Sequence, residues 1–268
     1  MSRAVGVISI KGGVGKTSCV AQLGSALADF GRNVLLVDAN FSAPNLGFHF
    51  GLVHPKNTLH DVLKQRIPFH KAVYSYRDNL HLIPGSLLSE KINPFQLRKY
   101  VTRMKDYYDL ILLDSSPNLN HEILATMVAA DELLVVTNPD VPTLSCTMHA
   151  VREALRKKTP ITGLIMNKVR NRDFELSIEQ VEHAVGVPVI GYLPESERVP
   201  ESIASTTPLP FSRPSHSVSV AVKKLAAALL QEEYKDPRIL PRLKRLFTHT
   251  VRKDEVNREL LKQGKLHW

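Results

Sequence analysis

Cysteine and long apolar runs are scarce in this chain, and each scarcity argues against a class of protein. Two cysteines, Cys19 and Cys146, stand among 268 residues without a metal-ligand spacing. A disulfide-stabilised secreted scaffold is therefore not expected, and the composition suits a reducing cytosol. No apolar stretch approaches the roughly 18 residues that a spanning helix needs. Strand-like sequence follows Met1-Ser2-Arg3 directly, so we expect no signal peptide and a cytoplasmic protein.

Acidic residues are also in the minority, and the net charge of +9 is unevenly placed. From Arg238 to Trp268 there are nine lysines or arginines and three acids, whereas the rest of the chain is near neutral. A basic end on a neutral body indicates an anionic partner, either a membrane or a nucleic acid. We predict one α/β domain over residues 1–235 and a basic helical tail over residues 236–268.

What the chain does contain is a glycine-rich loop between a predicted strand and a predicted helix. Its sequence is Lys11-Gly12-Gly13-Val14-Gly15-Lys16-Thr17-Ser18. Glycines let successive N–H groups turn inwards around a phosphate chain, and the helix N-terminus adds partial positive charge there. Lys16 should reach the β- and γ-phosphates, and the Thr17 hydroxyl should bind Mg²⁺. The loop therefore predicts a nucleotide site.

Buried apolar runs alternate with helical patterns along the chain. The pattern predicts a mostly parallel twisted sheet flanked by helices, because strands covered on both faces have continuous apolar sequences. Strands are predicted at 4–9, 33–37, 80–83, 110–113, 133–137, 161–166 and 189–192. Helices are predicted at 17–30, 94–104, 120–129, 143–157, 177–185 and 218–231.

Polar side chains follow three of these strands at the edge where ligands of such sheets bind. Asp38 and Asp114 end two buried runs, and acids in that position beside a phosphate loop usually hold Mg²⁺. Asn167 follows a third, and its amide offers a donor and an acceptor for a base edge. The alternative for each is a helix cap or a turn residue.

The loop resembles the deviant Walker A loop of the MinD/ParA ATPases, relatives of the nitrogenase iron protein. Lys11 stands where the common phosphate loop has its first glycine. In that family the extra lysine crosses a dimer interface to the partner's nucleotide, so the resemblance implies an ATP-dependent homodimer. It covers about residues 1–232 and is closest to MinD-like proteins. It implies ATP and Mg²⁺ as ligands, with the nucleotide held by Gly12, Gly13, Val14, Gly15, Lys16, Thr17, Ser18, Asn167, Pro194 and Glu195.

Three departures from the family pattern bear on hydrolysis. Family members commonly carry Asp-x-Asp after the second strand, whereas this chain has Asp38-Ala39-Asn40. An amide can position a water molecule but cannot take its proton. Ser115 replaces a frequent glycine, and no acid matches the helix aspartate that holds the extra lysine in MinD. With Lys11, Lys16 and Asn40 as the catalytic candidates, we expect very slow or impaired turnover.

The basic tail has the pattern of an amphipathic helix over residues 240–253. Its apolar side is expected to comprise Leu240, Leu243, Leu246, Phe247 and Val251, with cations opposite. Such a helix suits an anionic membrane, so the protein is expected to associate peripherally with the inner face of the cell membrane. Docking on the protein's own body or on its dimer partner is an alternative, and nucleic acid is the weakest, because base-stacking aromatic residues are not interleaved there.

Together these features indicate an ATP-dependent dimerising switch of the MinD/ParA class, acting in cellular positioning or recruitment with an unidentified protein partner. Two rivals stay open. One is a ParA-like partition ATPase that binds DNA. The other is a nucleotide-sensing scaffold that binds ATP without hydrolysing it.

Overall fold

A computed structural model of the protein describes residues 2–88, 91–238 and 251–266, and these residues build one eight-stranded sheet between helical layers. The strand order is β3-β4-β2-β5-β1-β6-β7-β8, and every neighbouring pair is parallel except the antiparallel pair β3 and β4. The strands are β1 Arg3–Ile8, β2 Val34–Ala39, β3 Tyr74–Arg77, β4 Leu80–Ile83, β5 Leu110–Ser115, β6 Glu132–Thr137, β7 Ile161–Val169 and β8 Val189–Pro194.

Helices cover both faces of this sheet. They are α1 Lys16–Asp29, α2 Leu59–Leu63, α3 Leu97–Met104, α4 His121–Ala129, α5 Val141–Arg156, α6 Ile178–Val185, α7 Arg198–Ala204, α8 Leu209–Ser212, α9 Ser217–Leu230 and α10 Lys253–Lys262. Short 3₁₀ turns add Leu46–Phe50, Phe69–Ala72 and Pro94–Gln96.

The continuous apolar strands are explained by this two-sided cover. In β2, Leu36 packs in the core formed with α1 and α9, and its neighbour Leu35 packs in the opposite core with α2 and α3. Successive side chains of a strand point to opposite faces, so a strand covered on both faces needs apolar residues at every position. Helix α1 approaches β2 closely at Gly24, where a Cβ atom would lie 2.4 Å from Leu36 Cδ2. The fold class predicted from the sequence is confirmed.

The seven predicted strands all occur, with ends shifted by a few residues, and the structure adds β3, which the sequence did not predict. Strand β3 lies at the sheet edge, its sequence is Tyr-Ser-Tyr-Arg, and its side chains alternate between half-buried and exposed. Four residues with so few apolar side chains give little signal. The short helices α2, α7 and α8 were likewise not predicted, because each spans two turns or fewer.

The tail differs from its prediction where the structure describes it. Residues 240–250, which carry most of the predicted amphipathic helix, lie outside the described residues. Val251 and Arg252 are not helical, and α10 begins at Lys253. Helix α10 packs on β8 and α9, with Asp254 fully buried between Arg252 and Arg258. Over the described ranges, none of the helices combines the length and the apolar character needed to cross a membrane.

Candidate nucleotide-binding site

The glycine-rich loop joins β1 to α1 and forms one wall of a cavity of about 370 Å³. Gly13 and Gly15 have φ values of 78° and 90°, which residues with a Cβ atom seldom adopt. A Cβ atom on Gly15 would also lie 2.5 Å from the Asn167 amide nitrogen. Gly15 is the N-cap of α1 and supplies no side-chain cap, so the first N–H groups of the helix stay open to an anion.

The two predicted metal-binding acids lie side by side. Asp38 of β2 and Asp114 of β5 are register partners at the carboxyl ends of adjacent strands. Lys16 Nζ lies 2.7 Å from Asp114 Oδ1, and both side chains are buried. Asp114 Oδ2 is buried and has no hydrogen-bond partner among the described residues. An orphaned carboxylate oxygen at this strand end and the hydroxyl of the half-buried Thr17 in the loop are the kind of oxygen ligands that Mg²⁺ prefers.

Asp38 is held differently from Asp114. Its carboxylate accepts hydrogen bonds from the backbone N–H groups of Asn40, at 3.2 Å, and Leu46, at 2.9 Å. Burial, followed by the charge of Asp114, raises the pKa of Asp38 to about 8, because these effects outweigh the two hydrogen bonds and the charge of Lys16. A divalent cation bound beside the two carboxylates would favour the ionised form of Asp38 and would therefore oppose this rise in its pKa.

Asn40 lines the same cavity, opposite the loop. Its side-chain nitrogen donates to the Ala43 carbonyl at 2.5 Å, which fixes the direction of the amide. Its Oδ1 atom is buried and has no hydrogen-bond partner among the described residues. A buried acceptor without a partner costs free energy unless a ligand or a water molecule satisfies it. The geometry therefore suits an acceptor for a water molecule, although the amide cannot remove a proton.

A second cavity, of about 610 Å³, lies on the other side of Gly15. Asn167, Pro194 and Glu195 line it, so the structure brings together the three residues expected at the base. Asn167 Nδ2 donates to the Val14 carbonyl at 2.8 Å. Glu195 forms a hydrogen-bonded ion pair with Arg170 that lowers the pKa of its carboxyl group.

Lys11 leaves its own loop and contacts the start of α5. Its Nζ atom lies 2.7 Å from Thr143 Oγ1 and 3.2 Å from Asp140 Oδ1. Burial acts to raise the pKa of Asp140, but hydrogen bonds from Thr143 and Lys11 lower it overall. The helix region in which the family carries its aspartate has no matching acid, as the sequence indicated, but another acid holds Lys11. The acid is the N-cap of α5, directly after Asn138-Pro139, rather than a residue within the helix.

Sequence reasoning missed two further residues at the site. Lys168 Nζ donates to the Gly13 carbonyl at 2.7 Å, so it braces the loop from β7. Its position next to Asn167 was the available signal. His49 lines the phosphate cavity from the 3₁₀ turn Leu46–Phe50. No motif marks this residue, because only the fold-back after β2 brings it to the cavity.

A glycine-rich loop at a helix N-terminus, with two acids at adjacent strand ends, defines a P-loop nucleotide-binding protein. The chain belongs to the CobQ/CobB/MinD/ParA nucleotide-binding domain family, whose model matches residues 5–209. The resemblance found in the sequence is thereby confirmed.

Similar proteins come from several organisms. The septum site-determining protein MinD of Synechocystis is 30% identical over 277 residues, covering 97% of this chain and 99% of that protein. MinD of Pyrococcus horikoshii, solved in complex with Mg-ADP, is 31% identical with a TM-score of 0.80 and covers 85% of this chain and 96% of its own. An Aquifex aeolicus MinD, solved in a MinC:MinD complex, is 28% identical with a TM-score of 0.79, and the coverage is 88% and 99%.

Proposed function

We propose that this protein is an ATP-dependent dimerising switch of the MinD type, which recruits or positions other components on an anionic membrane surface. The position of Lys11 carries the proposal. Lys11 lines the rim of the phosphate cavity, its amine contacts Asp140 and Thr143, and its side chain is 36% exposed. A lysine held loosely at the rim can leave for a partner's nucleotide at small cost, because exposed ion pairs contribute little free energy.

The chain's own residues would hold ATP with Mg²⁺ across the two cavities. The base would lie in the larger cavity, between Asn167 and the segment Pro194-Glu195. The phosphates would extend along the glycine-rich loop into the smaller cavity, where they would reach Lys16. Asp38, Asp114 and Thr17 would hold the metal, which neutralises phosphate charge and orients the terminal group. Lys16 would then exchange its contact with Asp114 for the phosphates. The Mg-ADP complex of the Pyrococcus horikoshii relative supports this assignment.

Hydrolysis is expected to be slow. The unpartnered Asn40 oxygen would orient an attacking water, but an amide has no useful basicity, so the water keeps its proton until it reaches the phosphate. Slow turnover would lengthen the life of the dimer. Single-turnover measurement of parent and Asn40→Asp tests this step, with Asn45→Asp, on the wall of the same cavity, as the matched control.

The membrane assignment depends on the composition of residues 239–250, whose apolar and basic side chains suit an anionic bilayer. Val251, which follows them, is 66% exposed. Co-flotation with vesicles of rising anionic lipid content tests the assignment, with ATP and with ADP. Phe247→Glu should abolish flotation and leave ATP affinity unchanged, and Phe174→Glu, at a residue 80% exposed on the ATPase body, is the matched control.

The oligomeric state is the central test. Light scattering should give a dimer with Mg²⁺ and a non-hydrolysable ATP analogue, and a monomer with ADP. Lys11→Ala should lose the dimer and keep nucleotide binding, whereas Lys157→Ala, an exposed lysine after α5, should behave as the parent. One unchanged mass under every condition would contradict the switch and favour the scaffold. A dimer that shifts DNA but never floats with vesicles would favour the ParA-like rival.

A further inference from the structure

His49 reaches the phosphate cavity because the chain folds back after β2. The fold-back is pinned at Asp38, which accepts a hydrogen bond from Leu46 N at 2.9 Å, and at Asn40, which donates to Ala43 O at 2.5 Å. The 3₁₀ turn Leu46–Phe50 follows, with Phe50 packed in the core. The imidazole thus sits on a well-supported turn, facing the glycine-rich loop across the cavity.

The imidazole of His49 is buried but has no partner. Its residue is 7% exposed, and no hydrogen bond to it occurs in the part of the chain that the structure describes. Burial lowers its pKa, and the charge of Asp114 only partly opposes this, so the ring is neutral near pH 7. A neutral imidazole carries one N–H donor and one acceptor nitrogen. Neither nitrogen has a protein partner among the described residues and neither is sealed from solvent, so both are available to a ligand that enters the cavity.

The two cavities give the site a direction. Gly15 and Ser18 line both, whereas Asn167 and Glu195 line only the larger one. Lys11, Asn40 and His49 line only the smaller one. A nucleotide with its base in the larger cavity therefore presents the far end of its phosphate chain to His49. A diphosphate would end sooner along the same path than a triphosphate.

We propose that His49 binds the terminal phosphoryl group of a bound nucleoside triphosphate, donating its N–H to a γ-phosphate oxygen. The proposal rests on the nucleotide site described above and adds a residue that discriminates triphosphate from diphosphate. Because the same turn is hydrogen-bonded to Asp38, occupation of the γ position would be felt directly at the metal-binding acid. A purely structural role would be marked by a hydrogen bond from the ring to the protein, and the described residues give it none.

Calorimetry with a β,γ-imido ATP analogue and with ADP, each with Mg²⁺, tests the proposal. Protein concentrations are kept below the dimerisation threshold, which light scattering verifies. Hydrogen bonds to charged groups are strong, so His49→Leu should weaken analogue binding by at least about tenfold and change ADP binding less than about twofold. His49→Met, which also lacks the N–H but adapts its shape, replaces it if the leucine variant does not fold. His49→Gln keeps a donor and should retain most of the discrimination.

His183→Leu, at an exposed histidine of α6, is the matched control and should bind both nucleotides as the parent does. Equal losses for the analogue and ADP would overturn the proposal, since they would make His49 a support of the whole site. No loss with either nucleotide would overturn it as well. If the parent bound neither nucleotide, the proposed function itself would fail, and this inference would fail with it.

Discussion

Replacing Asp140 with asparagine should make the ATP-bound dimer easier to form. In the monomer Lys11 is held in its own chain by Asp140 and Thr143. If the lysine must reach a partner's nucleotide, this contact competes with dimerisation. Asparagine removes the charge that attracts the lysine but still caps α5, because its side-chain oxygen can accept from Thr143 N as the aspartate does at 2.8 Å. The substitution therefore changes the ion pair and preserves the helix.

The size of the effect follows from exposure. The side chains of Lys11 and Asp140 are 36% and 43% exposed, so solvent screens their attraction. Exposed pairs contribute about 0.2–1 kcal/mol. A dimer releases two such contacts, which gives about 0.4–2 kcal/mol and a dimer dissociation constant lower by roughly 2- to 30-fold. Added salt should reduce the difference in dissociation constant between variant and parent, because dissolved ions screen exposed charges. The Debye length is about 10 Å at 0.1 M ionic strength.

Sedimentation equilibrium with Mg²⁺ and the β,γ-imido analogue measures this constant. Lys157→Ala is the control for a lost surface charge near the same helix. A weaker dimer in Asp140→Asn would refute the reasoning, because the carboxylate would then serve the interface rather than compete with it. An unchanged constant at low salt would show that the Lys11 contact does not restrain the monomer.

Three further outcomes follow from the site. Lys16→Ala should reduce Mg-ATP affinity in calorimetry by about 3 kcal/mol, since phosphate charge would stay uncompensated in a partly buried cavity. Parental affinity in this variant would contradict the phosphate-binding site. Asn40→Asp should raise the single-turnover rate, by up to the roughly 10²–10⁴-fold that a general base contributes. If the parent hydrolyses ATP at an ordinary rate and the substitution does not change that rate, another group must activate the water. The pKa of Asp38 is raised from 3.8 to about 8 on folding, so its contribution to stability is present below the lower value and is lost as the pH rises towards the higher one. Asp38→Asn should therefore flatten the fall in melting temperature of the nucleotide-free protein between pH 5 and 8, and an equally steep fall would remove Asp38 as its cause.

The sequence predicted the parts of the site that backbone geometry determines. The glycines of the loop from Lys11 to Ser18 allow the backbone conformation that a phosphate loop needs. Asp38 and Asp114 each follow a continuous apolar run of the kind typical of a buried strand. Parallel strands end at one edge of a sheet, so these groups had to meet. Their adjacency in register is a property of the strand order, which the sequence did not reveal.

The residues that were missed depend on connections between strands. His49 comes to the cavity through a fold-back that has no periodicity of its own. Asp140 was not predicted to hold Lys11, because the corresponding aspartate of the family lies within the helix, whereas here the N-cap side chain makes the contact. In the tail, the apolar and basic alternation extends to Lys253, but burial of Asp254 between two arginines favours a helix that starts there. Long-range packing therefore accounts for the start of α10, and the prediction for residues 240–250 lies outside the described residues.

Because α10 packs on β8 and α9, the basic segment 239–250 connects two parts of the chain that are both attached to the domain. Asn257 and Arg258 donate to the carbonyls of Val189 and Ile190, so the helix closes the free edge of β8. Lys224 Nζ of α9 lies 3.4 Å from Asp236 Oδ2 and 3.9 Å from Glu255 Oε1. The segments that precede and follow residues 239–250 therefore both contact this lysine. A truncation before Arg238 would therefore strip the cover from a sheet edge as well as remove the segment, and a loss of membrane binding could then be mistaken for an effect of misfolding or aggregation. Exchanging residues 239–250 for a short glycine-serine linker would remove the segment and keep α10 on the sheet edge, so it distinguishes lost membrane binding from misfolding. The segments on either side already lie close enough for such a linker to join them.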